Sequence, residues 1–232
     1  MPRFFKFDKP FWFAVVILIL TTSSPASPDP RWKPLFDGKT LTNWKSTAFG
    51  DEGAVAVKDG IVELSEGSEL TGITWAGRAS ALPTMNYEIA LEAQRIDGYD
   101  FFCGLTFPVK ESPCSLIVGG WGGGVVGLSS LDGLDAAHND TTRYETFEKG
   151  RWYKIRVRVS EKGLMAWIDD KQVVGVKTKG HRISIRSEVE LSRPLGICCY
   201  LTKAGLKGIK IRELTPEEAQ AEITPPLLKS VK

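Results

Sequence analysis

Residues 151–176 read RWYKIRVRVSEKGLMAWIDDKQVVGV, and this stretch decides the fold. Tyr153, Ile155, Val157 and Val159 alternate with Lys154, Arg156 and Arg158. A period of two is that of a strand with one buried face. Glu161-Lys162-Gly163 turns the chain, and residues 164–168 return. Asp169-Asp170-Lys171 turns it again, and residues 172–176 make a third pass. Three strands joined by short polar turns predict an antiparallel meander.

The same grammar extends in both directions. Residues 54–57 and 61–64 flank Lys58-Asp59-Gly60 as a hairpin, and 70–75 is a short strand. Residues 86–95 place Tyr87, Ile89, Leu91 and Ala93 on one face and Glu88, Ala90, Glu92 and Gln94 on the other. Residues 96–100 turn and 101–107 run back. Residues 115–120 and 125–130 enclose the run from Gly119 to Gly124, with Trp121 among five glycines. After a polar loop over 131–142, strands are expected over 143–147, 183–186, 195–201 and 206–214. The one helical signal is Pro216-Glu217-Glu218-Ala219-Gln220, with Thr215 as cap and proline at the first position; the tail beyond it reads as loose. About a dozen short strands with almost no helix mean a sandwich or a barrel. Strands with one apolar and one polar face favour an all-β sandwich of two antiparallel sheets.

The first residues stand apart. Arg3, Lys6 and Lys9 precede the apolar run 11–20, and Ser24-Pro25-Ala26 supplies small residues. This pattern predicts a secretory signal peptide over 1–26. A membrane anchor needs about 20 apolar residues, and Asp8 and Lys9 interrupt this run. The expected organisation is a signal peptide over 1–26, a linker over 27–34, a sandwich domain over 35–214 and a tail over 215–232. Residues 1–26 carry three of the 30 bases and one of the 28 acids, leaving 27 of each sign. A net charge of zero favours neither nucleic acid nor a membrane surface as partner. The expectation is an exported, periplasmic or extracellular protein with a neutral or weakly charged ligand and no membrane span after signal cleavage. The sequence leaves the oligomeric state open.

Export would permit disulfides. In a regular hairpin, however, Cys103 lies opposite residue 118 or 120, about 15 Å from Cys114 at 3.3 Å per residue. Cys198 and Cys199 are neighbours and face opposite sides. The four cysteines read as small buried thiols, and no Cys or His spacing resembles a zinc site.

Residues 35–44, LFDGKTLTNW, resemble the N-terminal signature of the bacterial 3-keto-disaccharide hydrolase domain family. Residues 152–157 with 167–174, and GIKIREL at 208–214, are similar to its C-terminal half. The resemblance implies a concanavalin A-like jelly roll, a carbohydrate ligand and cleavage of a glycoside oxidised at one ring carbon. A ketone acidifies the neighbouring C–H, a base removes that proton, the glycosidic oxygen leaves, and water adds back. Such a site needs a base, a donor to the carbonyl and an acid for the leaving group. Many members carry an Asn-Ser-Gly segment where this chain has Phe102-Cys103-Gly104-Leu105. Many carry Gln-x-His-Gly where it has Cys199-Tyr200-Leu201-Thr202. No catalytic residue therefore transfers by position.

The candidates come from the residues themselves. Trp121 reads either as a platform for a sugar ring or as a packed residue at a bulge; Trp75 is a second platform. Glu92 is the leading carboxylate for acid or base work if it faces a groove, and otherwise belongs to a solvated face. Asp100 follows a turn and shares a face with Phe102, Gly104 and Thr106 in one register, whereas a two-residue Asp97-Gly98 turn gives another. Thr106 and Arg156 are further substrate contacts; Arg156 and Arg158 would otherwise keep an outer face wet. Asp132, Asp135, Asn139 and Asp140 read as a solvated loop more readily than as a calcium site. His138 and His181 lie in polar segments. No cofactor or metal is expected. A hydrolase, a carbohydrate-binding module without turnover and a structural envelope domain all fit this scaffold.

Overall fold

A computed structural model describes Met1 and residues 31–226. The signal-peptide reading over 1–26 falls almost wholly outside the described residues. Two antiparallel sheets stack face to face as a jelly-roll sandwich. The first runs β13-β12-β11-β6-β15-β4-β3, with β1 on β15. Its strands are β1 (Lys33–Pro34), β3 (Val55–Lys58), β4 (Ile61–Leu64), β6 (Tyr87–Gly98), β11 (Tyr153–Ser160), β12 (Gly163–Ile168), β13 (Lys171–Lys177) and β15 (Thr202–Glu213). The second runs β10-β9-β8-β7-β14-β5-β2. It comprises β2 (Trp44–Ser46), β5 (Leu70–Trp75), β7 (Cys103–Val109), β8 (Ser112–Gly120), β9 (Val125–Ser129), β10 (Arg143–Tyr144) and β14 (Gly196–Tyr200).

The meander stands as its alternation requires. Tyr153, Ile155, Val157 and Val159 are buried while Lys154 is exposed. They pack with Ile89 and Leu91 of β6 against Leu105 and Phe107 of β7 and Leu116 and Val118 of β8, in one core. Cys103 pairs with Val118, which keeps it far along the ladder from Cys114.

The second sheet is buried on both faces over most of its strands, not on one face only. Loops over 131–142 and 183–195 lie on its outer side and form small apolar clusters there. Val189 packs with Leu70 and Cys198, and Ala136 with Ile117 and Val125. The expected strand over 183–186 is a single bridge from Ile183 to Leu131, because this segment serves as cover and finds no ladder partner.

The expected hairpin between residues 86–95 and 101–107 does not form. Strand β6 pairs with β11 and β15, and β7 pairs with β8 and β14. The chain crosses from one sheet to the other over residues 98–102. Gly98, at φ +88°, permits the step, since a Cβ there would lie 2.5 Å from the Leu201 carbonyl oxygen. A second crossing joins β14 to β15 alongside. Thr202 Oγ1 donates to the Asp100 carbonyl at 3.1 Å and ties the two together.

Helix α1 (Pro216–Gln220) has the expected proline start, and Thr215 and Glu218 form a reciprocal capping box. Residues 221–226 after it are docked, where a loose tail is expected. Ile223 is buried, and Gln172 Nε2 donates to the Thr224 carbonyl. No helix of the described residues is long and apolar enough to cross a membrane.

Candidate functional site

The outer face of the second sheet carries a cleft of about 380 Å³, within the roughly 300–1,000 Å³ of small-ligand pockets. Leu70 of β5, Ser115 and Ile117 of β8 and Ser129 of β9 line it together with Tyr200 of β14. The 98–102 crossing brings Asp100 and Phe101, the β8–β9 turn brings Trp121, and the covering loop brings Arg186, Glu188 and Val189. Glu69 stands at the entry to β5.

Two aromatic features face this space. Phe101 and Tyr200 stack with ring centroids 5.8 Å apart and planes 20° apart. Trp121, at the turn tip with φ +49°, is 42% exposed. Flat apolar rings beside carboxylates and a guanidinium suit a ligand whose ring presents C–H faces and hydroxyl edges.

The charges fall into two kinds. Asp100 serves the backbone: Oδ1 accepts from Phe101 N and Oδ2 from Gly122 N, each at 2.8 Å. Arg186 pairs with Glu188 and reaches Asp135 Oδ2 at 3.4 Å. The hydrogen bond from Arg186, first among its causes, holds the Glu188 carboxyl below the usual carboxylate range. Glu69 is exposed at the cleft, and its backbone carbonyl anchors Leu201 N at 3.1 Å.

The structure joins Asp100 and Trp121 in this cleft and places the other expected site residues elsewhere. Glu92 lies on the outer face of the first sheet, 3.5 Å from Lys207 Nζ. It parts from Asp100 because the chain changes sheets between them. Arg156 shares that remote face, bound to Glu88 and lying 3.9 Å from the Trp167 ring centroid. Trp75 is a core residue, 7% exposed and edge-on to Trp44 at 5.4 Å. Thr106 is fully buried, its hydroxyl 2.8 Å from that of Ser115 beneath the cleft. Phe102, expected to share a face with Asp100, turns into the core against Phe147 and Tyr153. Phe101 takes the cleft instead.

His138 and His181 sit on loops away from the lining, each 2.7 Å from an aspartate, Asp135 and Asp132 respectively. Among the described residues no group of three His, Cys, Asp or Glu side chains is assembled to hold a metal ion. Glu69, Arg186, Glu188, Phe101 and Tyr200 escaped the sequence reading. Four lie in connections and Tyr200 ends its strand, where function concentrates; the doubled Phe101-Phe102 was the one legible sign that two opposite faces both needed a ring.

The two-sheet jelly roll is a glycosyl hydrolase-like or carbohydrate-binding fold. A family model confirms the class over residues 31–198, most of the chain. The chain belongs to the 3-keto-alpha-glucoside-1,2-lyase-like domain family. Among solved structures it is similar to the Crh5 transglycosylase in complex with NAG, at 12% identity and TM-score 0.56, covering 82% of this chain and 86% of that one. It is also similar to a protein from work on endo-acting O-glycanases of the human gut microbiota, at 13% identity and TM-score 0.52, covering 81% and 94%. A glycosyl hydrolase from Parabacteroides distasonis aligns at 16% identity and TM-score 0.47, covering 79% and 94%. Likenesses this remote speak to fold alone. No curated protein matches the sequence.

Proposed function

We propose that this chain is an exported carbohydrate-active protein that binds a saccharide in the cleft and cleaves the glycosidic bond of a 3-keto-glycoside. The observation that carries the reading is the meeting of Trp121, the Phe101–Tyr200 stack, Glu69 and Glu188 around one cavity. Trp121 and the stack offer faces for sugar rings. Glu69, exposed at the cleft and in no ion pair among the described residues, would take the proton beside the ketone. Arg186 is placed to polarise the carbonyl oxygen. Proton loss from the carbon between the ketone and the anomeric centre, with departure of the protonated glycosidic oxygen, leaves an unsaturated ketone to which water adds. Export rests on the basic and apolar pattern of residues 1–26.

The test is turnover of methyl 3-keto-α-glucoside by wild type and by Glu69→Gln. Loss of turnover with retained binding in the variant supports the reading; equal turnover removes Glu69 from it. A second reading, saccharide binding without turnover, is favoured by one observation: neither histidine lines the cleft. Binding by wild type with no release of methanol would establish it.

A further inference from the structure

The alternation along β6 buries Tyr87, Ile89, Leu91 and Ala93, and the next residue in that series is Arg95, 5% exposed. A guanidinium stands where the pattern calls for an aliphatic side chain. Among the described residues no carboxylate oxygen pairs with it. It binds three backbone carbonyls, one at the crossing after β6, one at the end of β8 and one in the β8–β9 turn. Nε and Nη2 donate to Asp100 O at 3.2 and 3.0 Å, and Nη2 donates to Gly119 O and Gly123 O, each at 3.1 Å. Its Cζ lies 5.3 Å from the centroid of the Phe102 ring. Burial pushes its pKa down from the ordinary arginine value.

Three of these relations converge on one residue. Gly119 and Gly123 flank Trp121 on either side, and Asp100, whose carbonyl Arg95 holds, fixes Gly122 N through its carboxylate. Trp121 is therefore carried on a turn closed at both shoulders by one buried cation and at its crown by one carboxylate. Gly119, at φ +80°, leaves the passage: a Cβ there would lie 2.7 Å from Arg95 Nη2. A buried charge held by carbonyl dipoles, an aromatic ring beneath it and the nearby Asp100 carboxylate, with no direct ion pair, is a costly way to fill space, and apolar replacements of buried charged groups are often neutral or stabilising. Its return is a fixed turn, and a recognition group held in place before binding loses less freedom on binding.

We infer that Arg95 is a positioning residue for saccharide recognition, acting through the Trp121 turn and touching no ligand itself. The inference rests on the cleft being the saccharide site. It assigns to strand β6, which does not line the cleft, control over how firmly the platform is presented.

The test is a double-mutant cycle on binding of methyl 3-keto-α-glucoside in a Glu69→Gln background, which prevents turnover, followed by calorimetry, with hydrogen exchange of residues 119–124 as a ligand-independent measure. Arg95→Met should weaken binding about tenfold or more, and should add nothing in a Trp121→Ala background. Exchange at 122–124 should quicken at least tenfold while β7 and β11 amides keep their protection. Arg95→Lys, which keeps the charge but has one nitrogen to serve three carbonyls, should fall between and guards against a Met variant that does not fold. Wild-type affinity in Arg95→Met, or an equal loss with and without Trp121, would overturn the inference. Wild-type affinity in Trp121→Ala would instead remove the cleft reading; the exchange result then decides whether Arg95 holds the turn.

Discussion

Glu88 Oε1 accepts a hydrogen bond from Arg156 Nη1 at 2.7 Å on the outer face of the first sheet. Arg158 Nε joins the same oxygen at 2.8 Å, and Arg212 Nε takes Oε2 at 2.7 Å. The carboxylate is 1% exposed and answers to three guanidinium groups. Removing it leaves buried positive charge uncompensated, so Glu88→Ala should destabilise by ~3–5 kcal/mol in urea unfolding. Glu92→Ala, four residues on, breaks a half-exposed contact with Lys207 and should cost no more than ~1 kcal/mol. Equal effects of the two would refute the network's role.

Acid should loosen the C-terminal latch. Glu218 caps α1 and binds Arg212 through both oxygens, Nη1 to Oε2 and Nη2 to Oε1, each at 2.7 Å, with Arg31 Nη1 at 2.9 Å on Oε2. The Arg212 hydrogen bonds hold its carboxyl well below the ordinary 4.5. A depressed folded-state value means the stabilisation is complete above about pH 5 and is lost as pH falls below about 4. The melting temperature of wild type should therefore drop in that acid window more steeply than that of Glu218→Gln. Parallel curves for the two proteins would exclude Glu218 as the source.

Trp121→Ala should separate recognition from folding. The indole is half-exposed and its turn is held by backbone bonds, so unfolding free energy should change by less than about 0.5 kcal/mol. Saccharide binding should fall by tenfold or more, about 1.4 kcal/mol. A large stability loss with unchanged binding would mark Trp121 as a packing residue.

The four cysteines are buried and free, and burial raises every thiol, Cys114 and Cys198 to about 12. Thiolate is the reactive form. An aromatic disulfide reagent at pH 8 should find no thiol in the native protein and four after denaturation. A thiol that reacts rapidly in the native state would contradict the core placement.

The two-sheet fold was legible because its information is local. Residues 151–176 name their own inward and outward faces, and Lys58-Asp59-Gly60 names its own turn. The site was less legible because it depends on which sheet a strand joins. Glu92 and Asp100 are eight positions apart, and a hairpin and a sheet crossing look alike over Ile96 to Asp100; the difference lies in the partners, β15 and β14, which are far off in the sequence. The same ambiguity hid Phe101, because the period of two breaks at the crossing. Thr106 was misplaced because loops cover the second sheet's outer face, making a buried position of one that alternation alone assigns to solvent, and Trp75 because its ring turns into the core beside Trp44.

Phe101 and Phe102 leave consecutive Cα atoms back to back, one ring into the cleft and the other into the interior. Deleting or inserting one residue at this joint would exchange their destinations, so a change that reshapes the cleft wall there also empties or crowds the core. Length at this crossing is thereby tied to folding. Variety in what the cleft accepts is left to the exposed side chain of Trp121 and to the loop bearing Arg186 and Glu188, neither of which touches the Phe102 ring.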